Sequence, residues 1–155
     1  MGFIKVDSTK TDSTHQVMDG TYEVVIKSAG WSRTSKNTEY VSVKTVVRND
    51  VVQNEQGEDI EHPLWKSKPD NVKPSDVMGI PAWKFQQIAV AAGLPDGTIL
   101  DTIDDWRRAV TDKPIRITMK QDDQGRAKVT RVEPSLFPEM SVGFTAVDTS
   151  EELPF

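Results

Sequence analysis

Five short stretches of alternating apolar and polar residues, with one helical connection between the third and fourth, predict an all-β chain. The expected architecture is a five-stranded Greek-key barrel with a helical insert. At 155 residues the chain is long enough for one domain with a sizeable core. That domain is expected at residues 20–134. A polar arm (1–19), rich in Ser, Thr and Asp and expected to be flexible, precedes it, and an acidic segment (135–155) follows it.

Gly20 opens the first strand, over 21–29, in which Tyr22, Val24 and Ile26 alternate with Glu23, Val25 and Lys27. Period-two patterning of this kind buries one face. The composition of 30–37, GWSRTSKN, predicts a loop. A second strand over 38–48 sets Val41, Val43, Thr45 and Val47 on one face and Tyr40, Ser42, Lys44, Val46 and Arg48 on the other. The polar run 49–57 predicts a turn, which makes the second and third strands a hairpin. The third strand, 58–66, places Ile60, His62 and Leu64 opposite Glu61 and Trp65. Pro63 lacks a backbone donor, which points to a sheet edge or to a bulge near the end of the strand.

A loop rich in Lys, Pro and Asp fills 67–79. A helix follows over 81–92: Pro81 suits its first turn, Phe85, Ile88, Ala89 and Ala92 share a face, and Gly93 is a natural C-terminal cap. A short second helix starts after Asp101, expected to cap it, with Ile103, Trp106 and Val110 inward. The fourth strand, 114–120, alternates Ile115, Ile117 and Met119 with Arg116, Thr118 and Lys120. After the turn QDDQG, the fifth strand covers 126–133, where the spacing of Val129 and Val132 signals a bulge. Three strands, a helical connection and two strands is the element order of the OB-fold, a partly open Greek-key barrel. An open five-stranded sheet with a helix on one face has the same periodicity.

There is no cysteine, so disulfides, thiolate zinc sites and cysteine nucleophiles are excluded. No apolar signal core or membrane-length run occurs, and a soluble cytoplasmic protein is expected. The net charge of −5 is concentrated at one end: Glu139, Asp148, Glu151 and Glu152 carry most of it, and no Lys or Arg follows Arg131. The rest of the chain is nearly balanced, which keeps nucleic acid open as a partner.

No nucleophile elbow, phosphate-cradling loop or zinc motif is present, and neither an enzyme nor a cofactor is expected. His15 lies in the arm, and His62 falls on the core face. Asp101, Asp104 and Asp105 fit the ligands of a metal-dependent nuclease, but helix capping and the helix dipole explain them more simply. The outward positions are more informative. Trp31, Tyr40 and Trp65 supply flat rings, and Arg33, Lys36, Lys44, Arg48, Arg116 and Lys120 supply cations. Single-stranded nucleic acid needs both, because rings stack on exposed bases while cations follow the phosphates. The bland reading is that these rings pack under loops and the cations solubilise the sheet. Trp83 and Trp106, in helical segments, are assigned to packing.

The chain closes on Glu151-Glu152-Leu153-Pro154-Phe155. A phenyl ring beside acids is suited to docking, the ring entering an apolar pocket while basic residues around it take the carboxylates. With this tip, the strand order and the outward residues together, the chain resembles phage-encoded single-stranded DNA-binding proteins of the OB-fold type. The matching stretches are GTYEVVI (20–26), SRTSKNTEYVSVKTVV (32–47), KPIRITMKQDDQGRAKVTRVEP (113–134) and the final five residues. The resemblance implies protection of single-stranded DNA in phage replication and recombination, within the bacterial host cytoplasm. It also implies recruitment of replication, recombination and repair proteins through the tip. Asp148, Glu151 and Glu152 stand where such tails carry a dense aspartate cluster. A homo-oligomer is compatible with this reading. A protein-interaction adaptor that binds no DNA is the alternative.

An acidic tail tethered near a basic groove has a high effective concentration there. Removing residues 148–155 is therefore expected to leave DNA affinity unchanged or slightly raised, mainly at low salt. Phe155→Ala removes no charge and is expected to abolish partner capture alone. Pull-downs with intact, Phe155→Ala and truncated protein check this, and identical recovery from all three would reduce the tail to a solvated end.

Overall fold

The computed structural model describes residues 16–139. Its elements are β1 (Gly20–Arg33), β2 (Glu39–Val47), β3 (Asp59–Trp65), α1 (Ala82–Ala91), α2 (Ile103–Val110), β4 (Pro114–Gln121) and β5 (Ala127–Pro134). The strands form one antiparallel sheet in the order β3-β2-β1-β4-β5. The sheet is not closed into a barrel, which corrects the expectation of closure. Among the described residues β3 and β5 are its two edges. Pro63 deprives β3 of a donor, and α1 packs against β5.

One face of the sheet carries the core. Val24, Ile26, Val41, Val43, Val47, Leu64, Ile115 and Ile117 are almost fully buried there, beneath α1 and α2. Trp106 meets Phe85 edge-to-face at 5.0 Å and donates its indole N–H to the Phe85 carbonyl at 3.1 Å, which locks the two helices together. Thr102 rather than Asp101 caps α2: its hydroxyl accepts from the Asp105 amide at 3.0 Å. Gly93, at φ 86°, ends α1 in the left-handed conformation expected of its cap.

β1 runs four residues beyond its predicted end and takes in the first part of the predicted loop. A bulge between Ile26 and Ser28 re-phases it. Before the bulge, Tyr22, Val24 and Ile26 face the core; after it, Ala29 and Trp31 do, paired with Val43 and Val41. The predicted bulge in β5 is also present: the ladder steps from Arg131 to Val129 while β4 advances from Thr118 to Met119.

Both flanking segments pack more than their composition predicts. Val17 is buried, and Gln16 and Asp19 bond to the β4–β5 hairpin at Ala127, Gly125 and Gln121. At the other end Ser135–Phe137 close over Arg48. This guanidinium, 1% exposed, holds Asp50 through two bonds of 2.9 and 2.7 Å and donates to the Phe137 carbonyl at 2.7 Å. Glu23 lies 4.0 Å from it and accepts from the Ser135 hydroxyl and the Leu136 amide. The remaining arm, 1–15, and residues 140–155 with the Glu151–Phe155 tip lie outside the described residues. No helix among the described residues is long and apolar enough to cross a membrane.

Two outcomes follow from these buried polar groups. Arg48→Ala removes the cation buried beside Glu23 and Asp50 and is expected to cost about 3–5 kcal/mol, read by urea denaturation. A loss within experimental error would mean that water replaces the guanidinium. His62 sits on the core face of β3, and burial, with Lys84 adding repulsion, lowers its pKa from 6.5 to about 4. The unfolded chain then takes up a proton that the folded chain refuses. The stability present above about pH 6.5 is lost as pH falls toward 4, amounting to about 2 kcal/mol by pH 5. Melting temperatures between pH 8 and 5 should show this loss, and His62→Gln should flatten it.

Candidate functional site

The face opposite the helices is formed by alternate residues of all five strands. On β2 it presents Tyr40, Ser42, Lys44 and Val46; on β3, Trp65, Pro63, Glu61 and Asp59 are their register partners. Tyr40 and Trp65 stack at 4.6 Å with a 37° tilt. Tyr40 is 9% exposed and Trp65 42%, so tyrosine backs the tryptophan and tryptophan meets solvent. The Tyr40 hydroxyl donates to Glu61 Oε2 at 3.0 Å, and the Ser42 hydroxyl donates to the same oxygen.

Beside this pair lies a cleft of about 610 Å³ lined by Lys27, Ser28, Ser32, Tyr40, Lys44, Asp59 and Glu61, with Thr45 and Ile60 beneath. The bulge in β1 places Lys27 at its rim, 3.8 Å from Asp59. Lys44 is exposed and has no ion-pair partner among the described residues. The cleft thus joins two ammonium groups and an oriented carboxylate, and the exposed Trp65 ring stands next to it on Tyr40.

The other sequence-predicted residues divide between three places. Trp31, also 42% exposed, lies on the helix side of the same sheet end, where Lys66 Nζ sits 5.5 Å from its ring centroid. Arg33 lies beside it and bonds Glu39 at 2.8 Å and Asn37 at 2.7 Å. The Lys66 ammonium, bonded to Glu39 at 3.1 Å, and Arg33 hold the Glu39 carboxyl below its ordinary pKa. Lys36 is exposed in the β1–β2 turn. Arg116 and Lys120 share the open face but stand on β4; Arg116 is 3.9 Å from Glu133, and Lys120 is exposed. Arg48 is not on any open surface. It is buried in the cluster described above, which corrects its expected outward placement, because the end of β2 is covered by residues 135–137.

Periodicity missed Glu61 and Lys27 as site residues, although both occupy outward strand positions beside chosen ones. It also assigned Trp83 to packing, whereas that ring is 61% exposed on α1. The acids of α2 serve local purposes: Asp104 pairs with Arg107 at 2.7 Å and Arg108 at 3.2 Å, and Asp105 with Arg108 at 3.2 Å. The bond from Arg107 lowers the Asp104 pKa. Among the described residues no three His, Asp or Glu side chains converge on a metal position.

A family model described as protein of unknown function (DUF669) matches residues 4–148. The chain belongs to the DUF669 family. The match takes in every strand and helix among the described residues, so the open face and its cleft are built entirely within the DUF669 region. No curated protein matches the chain.

Proposed function

We propose that the open face of the sheet binds single-stranded DNA, with Trp65 as the stacking platform and Lys44 and Lys27 as the nearest phosphate contacts. The observation that carries this reading is the Tyr40–Trp65 stack beside a cleft bearing an ammonium without an ion-pair partner among the described residues. Stacking on an indole is tolerant of base identity, because every base has a π-face. Lys120 and Arg116 extend the cationic track across β4. Trp31 and Lys66 offer a second ring and cation where a strand would turn around the sheet end.

The strand order supports an OB-type relation, since joining β3 to β5 would close this sheet into a five-stranded barrel. On this reading the protein protects single strands in phage replication and recombination. The Glu151–Phe155 tip recruits partner proteins, and no catalysis is involved. A protein-interaction adaptor is the second reading. It is favoured by Trp83, Val90 and Ile99, which stand exposed on and beside α1.

A titration with a mixed-sequence oligonucleotide, followed by tryptophan fluorescence, separates the two. Single strands should bind in preference to duplex. The log affinity should fall with log salt by about 0.7 per phosphate neutralised. Trp65→Ala should cost about 1–3 kcal/mol of binding with melting unchanged, and Lys44→Ala should flatten the salt slope. Trp31→Ala, on the other side of the sheet, should cost less than Trp65→Ala. Equal affinity for duplex, or no binding at low salt, would overturn the DNA reading in favour of the adaptor.

A further inference from the structure

A carboxylate in the middle of a phosphate-binding face is an expensive residue to place there. It repels the backbone and contributes nothing to stacking. Glu61 is nevertheless the most carefully held side chain of the cleft. Two hydroxyls, from Tyr40 and Ser42, converge on Oε2, and Lys44 is its register partner on β2. An ionised carboxylate oxygen has two lone pairs, so two hydroxyl donors saturate Oε2. Among the described residues no donor is bonded to Oε1. The carboxylate is therefore oriented by the sheet with one acceptor left for a ligand.

We infer that Glu61 reads the base held against this face, selecting bases that carry an exocyclic amino group over thymine. This rests on the single-strand reading above. Tyr40 connects the two functions physically: its ring stacks on Trp65, and its hydroxyl fixes Glu61. The tyrosine ring thus separates the platform from the carboxylate, so the base that meets Glu61 is one lying in the cleft next to the base stacked on Trp65. Cytosine offers an N4 amine, adenine an N6 amine and guanine an N2 amine, and each can donate to Oε1. Thymine presents O4 and O2, whose lone pairs oppose the carboxylate, and its single N–H lies between them. Acceptance of a cytosine N4 proton by a carboxylate is a familiar pairing at base edges. Stacking then supplies the tolerant part of the affinity, and Glu61 a bias on top of it.

The test compares oligo-dC with oligo-dT of equal length. Both are pyrimidine strands on the same backbone, so their affinity ratio isolates the base edge. Wild-type protein should bind dC on the order of fivefold more tightly, as one charged hydrogen bond at a partly exposed site provides. Glu61→Gln removes the charge that opposes thymine and should strengthen binding to dT. Its amide can donate to thymine O4 as readily as accept from cytosine, so the dC/dT ratio should fall to about one. Tyr40→Phe keeps the ring and the charge but removes one of the two donors that orient the carboxylate, and the ratio should fall there as well. Equal wild-type affinity for the two strands, or an unchanged ratio in Glu61→Gln, would overturn the assignment while leaving DNA binding intact. Failure of wild-type protein to bind either strand would overturn the single-strand reading itself, and this inference with it.

Discussion

The Arg48 guanidinium is the tie on which the shape of the open face depends. It sits where β2 ends and reaches Asp50 in the following turn, Glu23 on β1, and the chain leaving β5 at Ser135 and Phe137. Gln53 joins the same cluster, exchanging bonds with the backbone of Glu23 and Arg48. A buried cation persists only when its donors are satisfied, and here the Asp50 carboxylate, the Ser135 hydroxyl and the Phe137 carbonyl accept from them, with the Glu23 carboxylate 4.0 Å away. The cluster pins the segment after β5 across one end of the sheet. The remaining face, toward Tyr40 and Trp65, stays open.

That open end combines three properties that a binding surface needs. The sheet makes it rigid, since Tyr40, Ser42 and Glu61 are held by ladder partners as well as by one another. It is partly apolar, because Trp65 is exposed while Tyr40 supports it from beneath. It is charged with both signs: Lys27 and Lys44 stand beside Asp59 and Glu61. A purely basic patch would bind any polyanion. On the single-strand reading proposed above, the carboxylates would make this surface more selective, penalising a phosphate placed wrongly and rewarding a donor placed well.

Much of this was legible in the chain. Alternation located all five strands within a few residues, and the core face of β2 was read correctly from Val41, Val43, Thr45 and Val47. Tyr40, Lys44 and Trp65 were assigned outward, and they share a face. The errors have physical causes. Composition made a loop of Gly30–Arg33, but pairing with Glu39–Ser42 extends β1 through it, because cross-strand hydrogen bonds override weak local preference. The bulge at Ile26–Ser28 then reversed the phase, so Trp31 turned to the helix side, where Lys66 meets its ring. Arg48 follows the outward pattern of β2, but a segment 87 residues away in sequence covers it.

The sequence by itself determined the strands, the helices, the faces of the regular strands and the candidate chemistry of rings and cations. Hydrophobic periodicity and turn chemistry are local properties, and they are written within ten residues of where they act. Tertiary structure decided that the sheet stays open, that Arg48 is a buried tie and that Tyr40 orients Glu61 beside Lys44. Each of these depends on contacts between residues distant in the chain: α1 on β5, Ser135 on Glu23, Tyr40 on Glu61. No window of sequence contains both partners, so only the packed chain could bring them together.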